Sequence, residues 1–310
     1  MHRTLLTATM LLAAARHARA DPDPDPDAPP PGRHPDATLG QIFHGPFQSS
    51  RLFAMPVADV VGAYVMTVSG DGSLLQQPGV LTSAGVLAIG FGDIAQLEYR
   101  HTEAISVENL QAPLPAVGVQ LKLPIPERSG VPAIGVAFRL GVPRREQFDA
   151  TNVDETVTDL YLVMRLRFAS VPWLTLHGGA RVSTAKIELS GDRTFQTDRK
   201  LVLPTSGIEV VMNRDAKLVT EVALAPQFNW TPGSATDPTV GYGLLGRLGL
   251  RWAVIPSVIL DGSIGYQLEV ANARPAAGLD AVVQWDIRLG AEVFVPWGAL
   301  ACRAIGAFCD

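Results

Sequence analysis

The stretch DAVVQWDIRLGAEVF, Asp280 to Phe294, decides the fold. Ala281, Val283, Trp285, Ile287, Leu289, Ala291 and Val293 share one parity, while Gln284, Asp286, Arg288, Gly290 and Glu292 share the other. A period of two puts apolar groups on one face of a β-strand and polar groups on the opposite face. The pattern repeats upstream. Val258 to Glu269 sets Leu260, Ile264, Tyr266 and Leu268 against Asp261, Gln267 and Glu269. Val240 to Trp252 sets Tyr242, Leu244, Leu248 and Leu250 against Arg247 and Arg251. Lys217 to Phe228 and Val157 to Phe168 alternate likewise, with Glu221 on the polar face of the first and Asp159, Arg165 and Arg167 on that of the second.

Twelve such segments can be marked, near residues 59–69, 83–91, 94–101, 116–123, 131–140, 156–168, 173–187, 202–212, 217–228, 239–252, 257–270 and 281–295. Several reach the ~9–11 residues that a tilted strand needs to cross a bilayer. Short links (Gly92-Asp93, Ala169 to Pro172, Asn213 to Ala216, Ala253 to Pro256) alternate with long polar ones near 70–82, 102–115, 141–155, 188–201, 229–238 and 271–280. Pro124 to Val131 is the one medium link. Short turns at one rim and long loops at the other are the habit of outer-membrane barrels. In hydrocarbon every backbone N–H and C=O must be paired, so a sheet crosses only if it has no edges. The expected fold is all-β: a closed antiparallel transmembrane β-barrel of about twelve strands behind a disordered N-terminal linker. An even strand number returns both ends of the chain to the same side.

The ends of the chain agree with export. Arg3, the uncharged run Thr4 to Ala15 and Ala18-Arg19-Ala20 read as a signal peptide over residues 1–20, with cleavage after Ala20. Residues 21–48 begin DPDPDPDAPPPGRHP, a composition that cannot build a packed core and reads as a stiff periplasmic linker. The barrel is expected over 49–297 and a periplasmic tail over 298–310, where Cys302 and Cys309 could close a small disulfide loop in an oxidising compartment. No apolar run has the length of a transmembrane helix, and the formal charge of -5 argues against nucleic acid. Neither a cofactor nor a metal is expected.

With the apolar face toward lipid, the polar face lines a lumen. Its charges are Glu98, Asp159, Glu209, Glu221, Asp261, Glu269, Asp286 and Glu292 against Arg100, Lys122, Arg139, Arg165, Arg167, Arg181, Lys217, Arg247, Arg251 and Arg288. Such a lumen is either a salt-bridged filling or a narrow pore with a directed field. Aromatics near segment ends (Tyr99, Phe168, Trp173, Phe228, Trp230, Tyr242, Trp252, Phe294, Trp297) read as interfacial girdles.

In this pattern the chain resembles bacterial outer-membrane β-barrel proteins of the twelve-strand size class, over about residues 50–297. The last strand resembles their assembly signal: Arg288, Gly290, then Val293 and Val295. It departs in that residues 296–310 follow, where such proteins commonly end on an aromatic. The resemblance implies insertion by the barrel-assembly machinery and contact with outer-membrane lipid. The expected role is a passive channel or transporter of small polar solutes. A structural or assembly barrel without transport and a soluble lipid-carrying periplasmic barrel are the alternatives. An enzyme is not expected: no G-x-S-x-G or H-E-x-x-H is present, and His177 and Ser183 are too far apart along one strand to touch.

Overall fold

The computed structural model describes residues 49–76, 81–105, 116–126, 128–148, 150–229, 236–269 and 285–305. The expected signal peptide with its Ala20 cleavage site, the linker and Cys309 lie outside them.

Thirteen strand segments form one antiparallel sheet that closes on itself. They are β1 (Met66–Gln76), β2 (Leu81–Phe91), β3 (Ala95–Ile105), β4 (Ala116–Lys122), β5 (Ala133–Gly141), β6 (Arg144–Phe148), β7 (Thr151–Arg167), β8 (Leu174–Gly191), β9 (Phe195–Val211), β10 (Ala216–Asn229), β11 (Thr239–Ile255), β12 (Val258–Glu269) and β13 (Trp285–Val295). Both β5 and β6 pair with β7, so they are two parts of one strand broken at Val142-Pro143, where proline has no N–H to donate. The barrel therefore has twelve strands. β1 and β13 close the ring, from Met66↔Val295 to Gln76↔Asp286. A short helix, α1 (Trp297–Ile305), follows the last strand and carries Cys302, which is disulfide-bonded.

The outer surface is apolar. Leu97, Leu121, Phe138, Leu160, Leu162, Met164, Leu248, Leu250, Ile264 and Leu289 are all exposed, each beside an inward polar or small neighbour. Tyr99, Trp252 and Tyr266 stand in the same belt. A girdle role fails for several of the expected aromatics. Phe294 is buried on the inner parity, and Phe228, although it shares the parity of the exposed Val222, is buried in a cluster against which Tyr242 packs. Trp297 is on α1, edge-to-face with Tyr64 at 5.3 Å between ring centroids. Trp230 lies outside the described residues.

Two features depart from the expected layout. Where they are described, the long links around 141–155 and 188–201 are largely strand: β7, β8, β9 and β11 run 17 or 18 residues, well past the belt. Their outward positions there are polar (Asp154, Lys186, Glu188), so the run of apolar groups on the outer parity ends before the strand does. The other departure concerns the first segment. β1 starts at Met66, and residues 49–65, part of which the alternation assigns to a strand, lie inside the barrel.

Candidate functional site: the barrel interior

The two halves of the interior differ in chemistry. At the end with the short turns, residues 49–65 form a looped segment whose Leu52, Met55, Val57 and Ala58 pack on Ala133, Ala137, Tyr161, Val163 and Val219 of the wall. Val57 N donates to Ser50 O and Leu52 N to Met55 O, which folds the segment back on itself. Glycines make the room: a Cβ on Gly90 would stand 2.2 Å from Val61 O, and one on Gly207 2.1 Å from Leu52 Cδ1.

The wall holds the segment by its backbone. The Glu221 carboxylate accepts three successive N–H groups, from Phe53 (2.8 Å), Ala54 (2.9 Å) and Met55 (3.2 Å). Arg251 donates to Arg51 O (3.2 Å) and Leu52 O (2.7 Å), and Arg139 to Ala54 O (3.1 Å). Gln120 Nε2 donates to Val57 O (2.7 Å) and Asp59 O (2.6 Å), and Gln96 accepts from Val61 N (2.8 Å). Buried backbone groups must be paired, and here the partners come from side chains of distant strands. The Asp59 carboxylate is met by Lys122 and Arg165. At the mouth, Ala63 N donates to Asp93 in the β2–β3 turn, and Gly298 N of α1 donates to Tyr64 O.

Around this segment stand the charged residues that alternation picks out. Arg139 and Glu98 form a buried pair at 3.1 Å, and Arg100 follows Glu98 on the same parity. Arg139 and Arg181 both lie against the Tyr161 ring, at 5.2 and 5.4 Å. Arg181 pairs with Asp159, which also accepts from Ser183 (2.6 Å). Lys217 and His177 approach Glu209 at 3.3 and 3.6 Å. Arg251 pairs with Asp261, and Arg288 with Asp71, an acid the alternation does not single out. Arg247 lies over the Phe53 ring at 5.9 Å, and Glu292 is buried opposite Ser69. Arg167 is an exception: it is exposed at the rim of β7, with Nε 3.3 Å from Thr175 Oγ1. Glu269 and Asp286 hold register positions opposite Gly243 and Gly265, and their side chains lie outside what is described. A gap of about 360 Å³, counting space open to solvent, remains between Arg51 to Phe53 and the wall residues Asp71, Arg247, Arg251, Asp261 and Arg288.

Past Thr205 the interior is mostly apolar, with Glu155 a buried acid among its inward positions. The β9–β10 ladder stops at Thr205↔Ala223, next to Pro204, which has no N–H to offer. Beyond it β9 follows β8, and β10 follows β11. The two flaps then pack face to face: Val153, Ala185, Ile187, Leu189, Leu201 and Leu203 from β7–β9 meet Phe228 and Val240 from β10–β11. Arg199 donates across to Val240 O (2.7 Å), and Arg193 pairs with Asp237. β8 and β11, three places apart in the ring, come within 8 Å here. This half is a small sandwich with its own core, which a uniformly polar lumen would lack.

Among the described residues no group of three or more His, Cys, Asp and Glu could hold a metal ion. The sequence matches no protein-family model and no curated protein. Solved structures of similar shape include the translocator domain of the autotransporter NalP from Neisseria meningitidis (14% identity, 74% of this chain and 86% of that one, TM-score 0.41). The KdgM porin (12%, 73% and 98%, 0.42) and the NanC porin (8%, 74% and 98%, 0.42) are others.

Proposed function

We propose that the chain is an integral barrel of the bacterial outer membrane that conducts small polar solutes through a narrow lumen, closed in the state described. One observation carries this reading. A ring without edges has an apolar outer belt and, at the same level, a charged interior: Leu160, Leu162 and Met164 are exposed while Asp159, Tyr161 and Arg165 beside them are buried. A water-soluble protein does not expose an apolar belt that encircles it. The interior arginines keep their charge when partly desolvated and would favour anionic or polar solutes. Export through a signal peptide cut after Ala20 and insertion by the barrel-assembly machinery belong to the same proposal.

A second reading is a structural barrel that carries nothing. The filled lumen favours it, with residues 49–65 at one end and the flap core at the other. Two measurements separate the readings. Fractionation of the expressing cell should place the chain in the outer membrane; a soluble periplasmic pool would end both. Planar-bilayer recording with purified protein should give brief, small openings. A bilayer that stays silent across voltage, salt and solute would leave the structural reading.

A further inference from the structure

We propose that the turn-end lumen is a peptide-binding site, that residues 49–65 are its resident ligand, and that Glu221 is the anchor that keeps them there. The inference rests on the conduit reading only for its consequence, which is that the segment is the chain's own blocker.

The first ground is how the segment is held. A segment woven into the wall would share ladder bonds with it. Among the described residues, backbone-to-backbone bonds between segment and wall are confined to Tyr64 and Val65 with Gly90, at the foot where the chain turns into β1. Everything deeper is held by wall side chains, chiefly Glu221, Arg251, Arg139, Gln120 and Gln96. Withdrawal would therefore break side-chain bonds and leave every strand pairing of the ring intact.

The second ground is that the wall reads peptide groups. Successive N–H groups converging on one anion form a nest, the usual way a backbone binds a carboxylate. Here the anion belongs to the wall and the nest to the segment. Glu221 is 1% exposed, so its charge is answered inside the site. Three charge-assisted bonds on one carboxylate make it the most heavily used contact in the cradle. The wall is also cut to shape at Gly207 and Gly90, where any side chain would collide with Leu52 or with the Val61 and Gly62 carbonyls.

The third ground is geometric. The segment precedes β1 directly, so it pivots at a fixed foot and its effective concentration at the site is high, in the mM range for a short tether. It would stay docked unless its anchor is weakened.

The test uses the full chain reconstituted in lipid vesicles. Ser50 is 4% exposed, and Ser50→Cys is nearly isosteric, so it reports docking through its reaction with a water-soluble maleimide. The chain without this substitution gives the background from the native cysteines. Labelling of Ser50→Cys should be slow. Adding Glu221→Ala should raise the rate at least ten-fold, and Glu221→Gln by less, with circular dichroism showing the barrel still folded. Unchanged labelling in a folded Glu221→Ala barrel would overturn the proposal. If that variant does not fold, Gln120→Ala, which removes two bonds to the segment, is read in the same way. Bilayer recording of the same samples keeps the two claims apart. Faster labelling with new current supports both. Faster labelling with a silent bilayer keeps the peptide site and removes the conduit. New current without faster labelling removes Glu221 as the anchor.

Discussion

The turn-end interior and the loop-end interior are built from the same strands and follow opposite rules. At the turn end, inward positions carry Glu98, Arg139, Asp159, Arg181, Glu209, Glu221 and Arg251, and a docked segment takes up the middle. At the loop end, inward positions on β7, β8 and β9 are mostly apolar, with Val153, Ile187, Leu189, Leu201 and Leu203 beside the buried acid Glu155, and the walls touch each other. A wide ring cannot fill itself with side chains, so charges need a guest or water between them. Where the ladder parts beside Pro204, the two flaps can meet and exclude both. The difference teaches that a barrel's inner face is polar only for as long as its outer face must be oily.

Four substitutions would break or sharpen this contrast. The largest effect is expected from Arg139→Ala. It removes the partner at 3.1 Å from the buried Glu98 carboxylate, one of the two arginines on the Tyr161 ring and a donor to Ala54 O. Breaking one side of a buried pair costs about 3–5 kcal/mol; urea titration of vesicle-bound protein should show it, and a loss under 1 kcal/mol would mean that water already fills the turn-end interior. Next comes Ile187→Ala, which empties a fully buried site in the flap core. About 2–4 kcal/mol is expected, felt in protease resistance of the loop end and not in labelling at Ser50→Cys. An effect at both ends would show that the halves are one cooperative unit.

Gly92→Ala should cost about 1 kcal/mol. Gly92 has φ +59° with nothing within 4 Å of an added Cβ, so the penalty is conformational alone and belongs to the turn end. Asp154→Asn should do least. Hydrogen bonds from Arg145 at 2.7 and 2.8 Å hold the Asp154 carboxyl below its usual range, beyond the apolar belt. A lowered carboxyl contributes stability above the usual Asp titration and loses it as pH falls through the folded value. The variant should melt slightly below the parent at pH 7, and the gap should close as pH falls through the lowered titration of this carboxyl; a gap that stays constant would point to a contact other than this pair. Exposed pairs contribute little in any case.

The ring was legible because lipid enforces it: every strand that crosses must alternate, and twelve alternating segments of the right length are hard to arrange otherwise. The charged inner residues of the turn end follow from the same parity, Asp159 and Arg165 between Leu160, Leu162 and Met164 being an example. Residues 49–65 were not legible. Val57, Val60, Val61 and Val65 give the run a strand-like look, and its partners are side chains scattered from β1 to β11, which no local pattern encodes. The flap core did leave a trace. In β8 the apolar parity changes from Val182, which is exposed, to Ile187 and Leu189, which are buried, with Lys186 and Glu188 outside. That change of parity marks where the strand leaves hydrocarbon and can be read from sequence once it is looked for.

The contact of Tyr64 with Trp297 and Gly298 joins the foot of the inner segment to the helix that follows the final strand. The chain that enters the first strand and the chain that leaves the last are thus fastened to each other at one point of the rim, so the seam between β1 and β13 is closed by a clasp as well as by its ladder.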